Sequence, residues 1–178
     1  MIALRIIPVG DNVPLGLLDR LAAVLAARFG INCHVDAREV PIGVTWDSRR
    51  NQYYSTALLK ELALRADEGT HGATVIGVAN CDLYVPVLTF VFGEAQLDGR
   101  AALASLFRLR EEFYGLPPND ELTFDRLEKE VVHELGHTMG LRHCQDWRCV
   151  MASSHGVERV DVKSADFCDS CRAQTRQG

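Results

Sequence analysis

The chain has 178 residues, 47% of them apolar and 24% charged. That is enough for one domain with a hydrophobic core, and it excludes disordered, collagen-like and low-complexity chains. Its 19 basic residues face 24 acidic ones, with no block of Lys or Arg to follow a phosphate backbone or an anionic lipid surface, so nucleic-acid and membrane partners are not expected. No apolar run reaches membrane-spanning length, and the start, MIALRIIPVG, lacks a signal peptide's length and cleavage site. A cytoplasmic protein with reduced thiols is expected.

Ala3 to Val9 is an apolar run suited to a buried strand, followed by the turn residues Gly10, Asp11 and Asn12 and by Pro14 in a helical first turn. Leu17, Leu21, Val24 and Leu25 recur at helical spacing and Gly30 closes that helix. Cys33 to Val40 reads as a partly exposed strand, and Pro41 to Arg50 as a loop. A second helix is expected over Asn51 to Ala66, with Tyr54, Leu58, Leu59 and Leu62 on its apolar side. Ala73 to Ala79 is the clearest central strand, Thr89 to Phe92 a shorter one, and Ala101 to Arg110 a strand returning beside it, although its alanines leave a helix open there. Strands alternating with helices imply a mixed sheet with helices packed on it. Pro117-Pro118-Asn119-Asp120 breaks the chain, after which Thr123 is expected to cap a helix starting at Phe124.

That helix runs into HELGHTMGLRH, residues 133–143. His133 and His137 are four apart, so on a helix their imidazoles share a face and can grip one ion, with Glu134 beside it. Gly140 can adopt positive φ and stop the helix, letting His143 swing back as a third ligand. Three histidines leave a tetrahedral zinc one position for water, the pattern of a catalytic site. Three His, one Glu and one Gly at fixed offsets arise by chance in on the order of one in 10⁵ chains this long, so the pattern is read as chemistry. Zinc makes hydroxide available at neutral pH, Glu134 is the natural general base, and the expected reaction is amide hydrolysis.

Cys144, Cys149, Cys168 and Cys171 follow, the last two as CDSC. Two thiolate pairs fit a closed structural zinc site, with two disulfides or unpaired thiols as the competing readings. Cys144 directly follows His143, so the second ion would brace the loop that delivers a ligand to the first. Cys33 and Cys81 read as small buried hydrophobes.

HELGHTMGLRH followed by Met151 resembles the metzincin clan of zinc metallopeptidases. The closer resemblance is to the archaemetzincin family, in which four cysteines interweave with that motif as Cys144, Cys149, Cys168 and Cys171 do here. The resemblance implies an α+β, metzincin-like zincin fold: a mixed twisted sheet with helices above the active-site helix, residues 1–140, and a small zinc-braced C-terminal lobe, residues 141–178. It implies two zinc ions per chain, one held by His133, His137 and His143 and one by the four cysteines, with Glu134 as base and Met151 under the histidines. Peptides or unfolded segments are the implied substrates, and Thr89 to Glu94 is the candidate edge strand for pairing with them, with an ordinary core strand as the alternative for that segment. A monomer is expected.

Some metzincins place a tyrosine just past the methionine, but Met151 is followed by Ala152, Ser153, Ser154 and His155. His155, His34 and His71 read as solvated loop histidines, and Tyr84 as a partly buried aromatic. Two rival functions remain in view: a zinc-stabilised peptide-binding module without turnover, against which an intact Glu134 argues, and hydrolysis of a non-peptide amide.

Overall fold

The computed structural model describes residues 3–68 and 72–175; His71 lies outside them. In chain order the elements are β1 (Ala3–Val9), α1 (Leu15–Phe29), β2 (Asn32–Val35), β3 (Trp46–Asp47), β4 (Gln52–Tyr54), α2 (Ser55–Asp67), β5 (Ala73–Ala79), β6 (Leu83–Tyr84), β7 (Gly93–Ala95), β8 (Ala101–Ser105), α3 (Asp120–Thr138), α4 (Val157–Val162) and α5 (Asp169–Thr175). The main sheet has the order β2-β1-β5-β8-β7, parallel except for β7, which runs antiparallel at one edge. A small second sheet joins β3, β4 and β6.

The central strands carry almost no polar residues because both faces of the sheet are covered. Leu4, Ile6, Ile76, Val78, Ala102 and Ala104 face α1 and α3, packing against Leu18, Leu21, Leu25, Leu127 and Val131. Ile7, Val9, Val75, Ala79, Ala101 and Leu103 face α2, meeting Leu58, Leu59 and Leu62. The mixed sheet with helices on it, expected from the alternation of elements, is thus present. Edge strand β7 and the C-terminal half of α3 lie against each other, and the cleft opens between them.

Several boundaries differ from expectation for local reasons. The strand expected to reach Val40 stops at Val35, because Asp36 turns to accept hydrogen bonds from Arg5 and Arg38; Val40 returns only as a bridge to Val9. The helix expected from Asn51 begins at Ser55, since Asn51 is left-handed (φ 56°) and Gln52–Tyr54 is claimed by β4. Pro14 sits just outside α1, at its N-cap. The strand expected to reach Arg110 ends at Ser105 and passes into two short 3₁₀ turns. Regular pairing in the rim covers Gly93–Ala95 rather than Thr89–Phe92, whose contribution is a bridge from Val91 to Leu83. The active-site helix starts at Asp120, not Phe124. Asn119 is its cap, accepting from the Leu122 amide at 3.1 Å, and Thr123 is buried in the first turn.

Candidate active site

Helix α3 buries Leu127, Val131 and Leu135 in the core, and this turns His133, Glu134 and His137 towards the cleft. At its end Met139 N–H bonds back to the Leu135 and Gly136 carbonyls, Gly140 adopts φ 85°, and Leu141 N–H closes on Gly136 O at 3.0 Å. A side chain at position 140 would strain that left-handed turn. The reversal does two things: it places the Leu141 carbonyl 2.8 Å from His137 Nδ1, and it sends His143 back over the two helical histidines, with ring centroids 5.3 and 5.1 Å away.

The tautomers follow from these contacts. His133 Nδ1 lies 2.8 Å from the Val150 carbonyl, and a carbonyl only accepts, so Nδ1 carries the proton in both His133 and His137. Burial, reinforced by the charge of Lys163, pushes His133 well below the ordinary histidine value, and burial lowers His137 and His143 as well. Burial thus favours the neutral rings, and with the proton on Nδ1 the lone pair is on Nε2 in His133 and His137. These two Nε2 atoms stand 3.1 Å apart. With no proton between them this is not a hydrogen bond but two converging lone pairs, an arrangement that a cation relieves. Nitrogens held about 2.0–2.1 Å from one tetrahedral zinc would stand about 3.3–3.4 Å apart, close to what is found. The candidate ligand atoms of His133, His137 and His143 all lie within 4.8 Å of one another.

Glu134 is 5% exposed. Burial, then the neighbouring Glu130 carboxylate, push its carboxyl well above the usual carboxylate range, against the opposing charge of Lys163. Lys163 Nζ stands 2.7 Å from Glu130 Oε1 with both side chains buried, off the line a hydrogen bond would take, so the contact is a Coulombic pair. It ties the segment after α4 to α3 beside the histidines.

The four cysteines predicted as a set come together. Their Sγ atoms lie within 4.8 Å of one another, Cys144 and Cys168 at 3.8 Å. Sulfurs about 2.3 Å from a tetrahedral zinc would stand about 3.8 Å apart. The Cys144–Cys168 spacing is far longer than the roughly 2.05 Å of a disulfide and matches that of ligands around one ion. The Cys168 amide donates to Cys149 Sγ at 3.3 Å, the kind of N–H···S contact that orients a thiolate. Cys81 is buried in the core as expected, whereas Cys33, on the edge strand β2, is only half-buried against it; burial pushes their thiols up to about 12 and about 11.

Two glycines that sequence reasoning did not single out shape the site. A Cβ at Gly136 would overlap the Met151 sulfur, so this glycine lets Met151, fully buried, sit directly against the helix. A Cβ at Gly93 would stand 2.6 Å from Glu134 Oε1, so β7 approaches the carboxylate only because Gly93 has no side chain. The first left a signal, since a glycine inside a helix costs about 1 kcal/mol against alanine and needs a packing reason. Gly93 left none, since a glycine just past a short expected strand is ordinary.

The cleft is about 880 Å³, walled by Leu88–Ala95 on one side and by Glu130, His133, Glu134, His137 and His143 on the other. His155 is exposed and lines it; His34 is exposed on β2, far from it. Tyr84 does not line it: the side chain is buried and its hydroxyl donates to Asp47 Oδ2 at 2.9 Å.

Comparison with known proteins agrees with this geometry. The model of peptidase family M54 matches residues 21–177. An archaemetzincin of Methanocaldococcus jannaschii is 41% identical over 92% of this chain and 87% of its own, and one of Natronomonas pharaonis is 38% identical over 95% and 96%. Among solved structures, a zinc-dependent peptidase from Methanocorpusculum labreanum superposes with a TM-score of 0.87 at 28% identity, covering 97% of this chain and 99% of its own. The archaemetzincin of Methanopyrus kandleri superposes with a TM-score of 0.81 at 34% identity, covering 99% and 94%. A histidine cluster open to a cleft, a thiol cluster behind it and likeness along nearly the whole chain converge on one conclusion: the chain belongs to peptidase family M54, the archaemetzincins, and is a zinc metallopeptidase.

Proposed function

We propose that this chain hydrolyses peptide bonds at a zinc ion held by His133, His137 and His143, with Glu134 as general base, and that a second zinc held by Cys144, Cys149, Cys168 and Cys171 braces the C-terminal lobe. The observation that carries the reading is the pair of Nε2 lone pairs converging at 3.1 Å on an open cleft. When bound there, zinc supplies Lewis acidity that activates water and polarises a carbonyl.

The protein's own groups do the rest. The Val150 and Leu141 carbonyls fix the tautomers that present Nε2 to the ion. Glu134 lies one residue from a ligand, with a carboxyl whose proton affinity is raised by burial, which suits it to take a proton from water and pass it to the leaving amine. Met151 forms the apolar floor beneath Gly136. Residues 1–140 serve as the upper lobe and 141–178 as the lower, with the substrate extended along the rim formed by Thr89–Glu94. The chain acts as a monomer in the cytoplasm, on peptides or unfolded segments.

A defined peptide library incubated with the zinc-loaded wild type and with Glu134→Gln tests this. Cleavage by the wild type, reduced at least 10²-fold in the variant with metal content unchanged, is the expected result. Equal traces in both would indicate contamination and favour a binding module instead.

A further inference from the structure

The cleft wall Leu88–Phe92 is only sparsely held by regular pairing. Val91 N–H bonds to Leu83 O at 2.9 Å and Phe92 O accepts from Ser105 N–H at 2.8 Å. Its first carbonyls are held by side chains instead. Arg50 Nη2 donates to Leu88 O at 2.6 Å and to Thr89 O at 3.1 Å, and Gln52 Nε2 donates to Thr89 O at 3.0 Å.

These donors are themselves fixed. Arg50 Nε donates to Gln52 Oε1 at 3.1 Å, and the Arg50 guanidinium lies 4.3 Å over the Tyr84 ring. Gln52, 5% exposed, also donates to Asp82 Oδ2 at 3.0 Å. Asp82 accepts two hydrogen bonds from Arg108, at 2.6 and 2.7 Å, and Arg108 stacks 4.2 Å over Phe90 of the cleft wall. None of Arg50, Gln52, Asp82 and Arg108 lines the cleft, so the grip comes from behind. The main chain at Leu88 and Thr89 and the ring at Phe90 are anchored on the far side.

We propose that Arg50, Gln52, Asp82 and Arg108 form a polar latch that fixes the main chain of Leu88–Phe92 in place, ready to pair with substrate, which makes Arg50 and Gln52 positioning residues for peptide binding. The inference rests on the reading of this rim as the substrate-pairing strand. A rim ordered before binding spares the substrate the entropy of ordering it, so loss of the latch acts on KM rather than on kcat.

The test uses the zinc-loaded chain and its variants Arg50→Ala, Arg50→Lys and Gln52→Glu, with peptide kinetics and amide hydrogen exchange measured on each. Arg50→Ala raises KM about 10-fold with kcat within about twofold, and speeds exchange in Leu88–Phe92 but not in α3. Lysine reaches one carbonyl without bonding Gln52, so Arg50→Lys lies between. Gln52→Glu keeps the volume but replaces the donor facing Thr89 O with an acceptor, and gives the same KM-weighted split. Unchanged exchange in Leu88–Phe92 would overturn the latch. Faster exchange with unchanged KM would overturn the rim-pairing reading beneath it. A fall in kcat accompanied by zinc loss would overturn the positioning role.

Discussion

The Val150 carbonyl accepts the Nδ1 proton of His133 at 2.8 Å, and Val150 is the residue after Cys149. On the other side, His143 is the residue before Cys144, whose N–H bonds to Met151 O at 2.9 Å. The loop between the two clusters therefore carries one of the three clustered histidines and sets the tautomer of another, and cysteines of the thiol cluster stand at both its ends.

Breaking the thiol cluster far from this loop in sequence should therefore weaken the histidine site. Cys168→Ser is expected to lower affinity there about 10–100-fold, as loss of an outer-shell support does, and to reduce stability. Cobalt(II) absorption separates the two sites, since thiolate coordination gives intense charge-transfer bands and imidazole coordination does not. Unchanged affinity at the histidine site would show the clusters to be independent.

Met151 sits where a side chain at position 136 would have to go. Gly136→Ala is expected to destabilise the protein by about 1–3 kcal/mol, the usual cost of overpacking. Combining it with Met151→Ala should return part of that loss, a coupling visible in a double-mutant cycle by urea unfolding. Strict additivity would mean that the two residues do not compete for space.

Hydrogen bonds from Arg38, aided by the buried Arg5 and opposed by burial, hold the Asp36 carboxyl well below the usual range. A depressed folded-state value stabilises above the unfolded-chain value of about 3.9 and is lost as pH falls below it. Asp36→Asn should cost about 2 kcal/mol at pH 7, and the gap between variant and wild type should begin to narrow below about pH 4 and go on narrowing as pH falls towards the depressed folded-state value. Melting temperatures across pH 3–7 measure this, and a constant gap would refute the assignment.

Thiol alkylation at pH 8 should divide the six cysteines. Cys33 and Cys81, raised to about 11 and about 12 by burial, should react slowly in every state of the folded protein. The other four should be protected in the metal-loaded chain; after chelation the half-buried Cys144 and Cys168 should react first, and Cys149 and Cys171, buried and raised by that burial, more slowly, a change mass spectrometry counts directly. Four reactive thiols before chelation would argue against a metal at that site.

Much of this was legible in the sequence because spacing alone determines it. His133 and His137 share a helix face by their four-residue interval, Gly140 marks the turn, and the four cysteines form a set by count. β5 was readable from its β-branched residues Thr74, Val75, Ile76 and Val78 in an entirely non-charged run. What escaped depends on contacts between distant segments. Gly93 matters only because Glu134 approaches it from a helix about 40 residues on in the chain, and the role of Val150 belongs to its carbonyl, which the side-chain code does not record. Helix starts slipped where competing local chemistry won: Asn119 took the cap expected of Thr123, and β4 claimed residues expected to be helical.

A crystal structure of the metal-loaded chain, with anomalous scattering measured at the zinc edge, tests the central claim most directly. It should show one zinc about 2.1 Å from the Nε2 atoms of His133 and His137 and bonded to His143, with solvent in the remaining position within reach of Glu134. Histidine rings turned away from one another, or a fourth side chain completing that zinc's coordination, would contradict it.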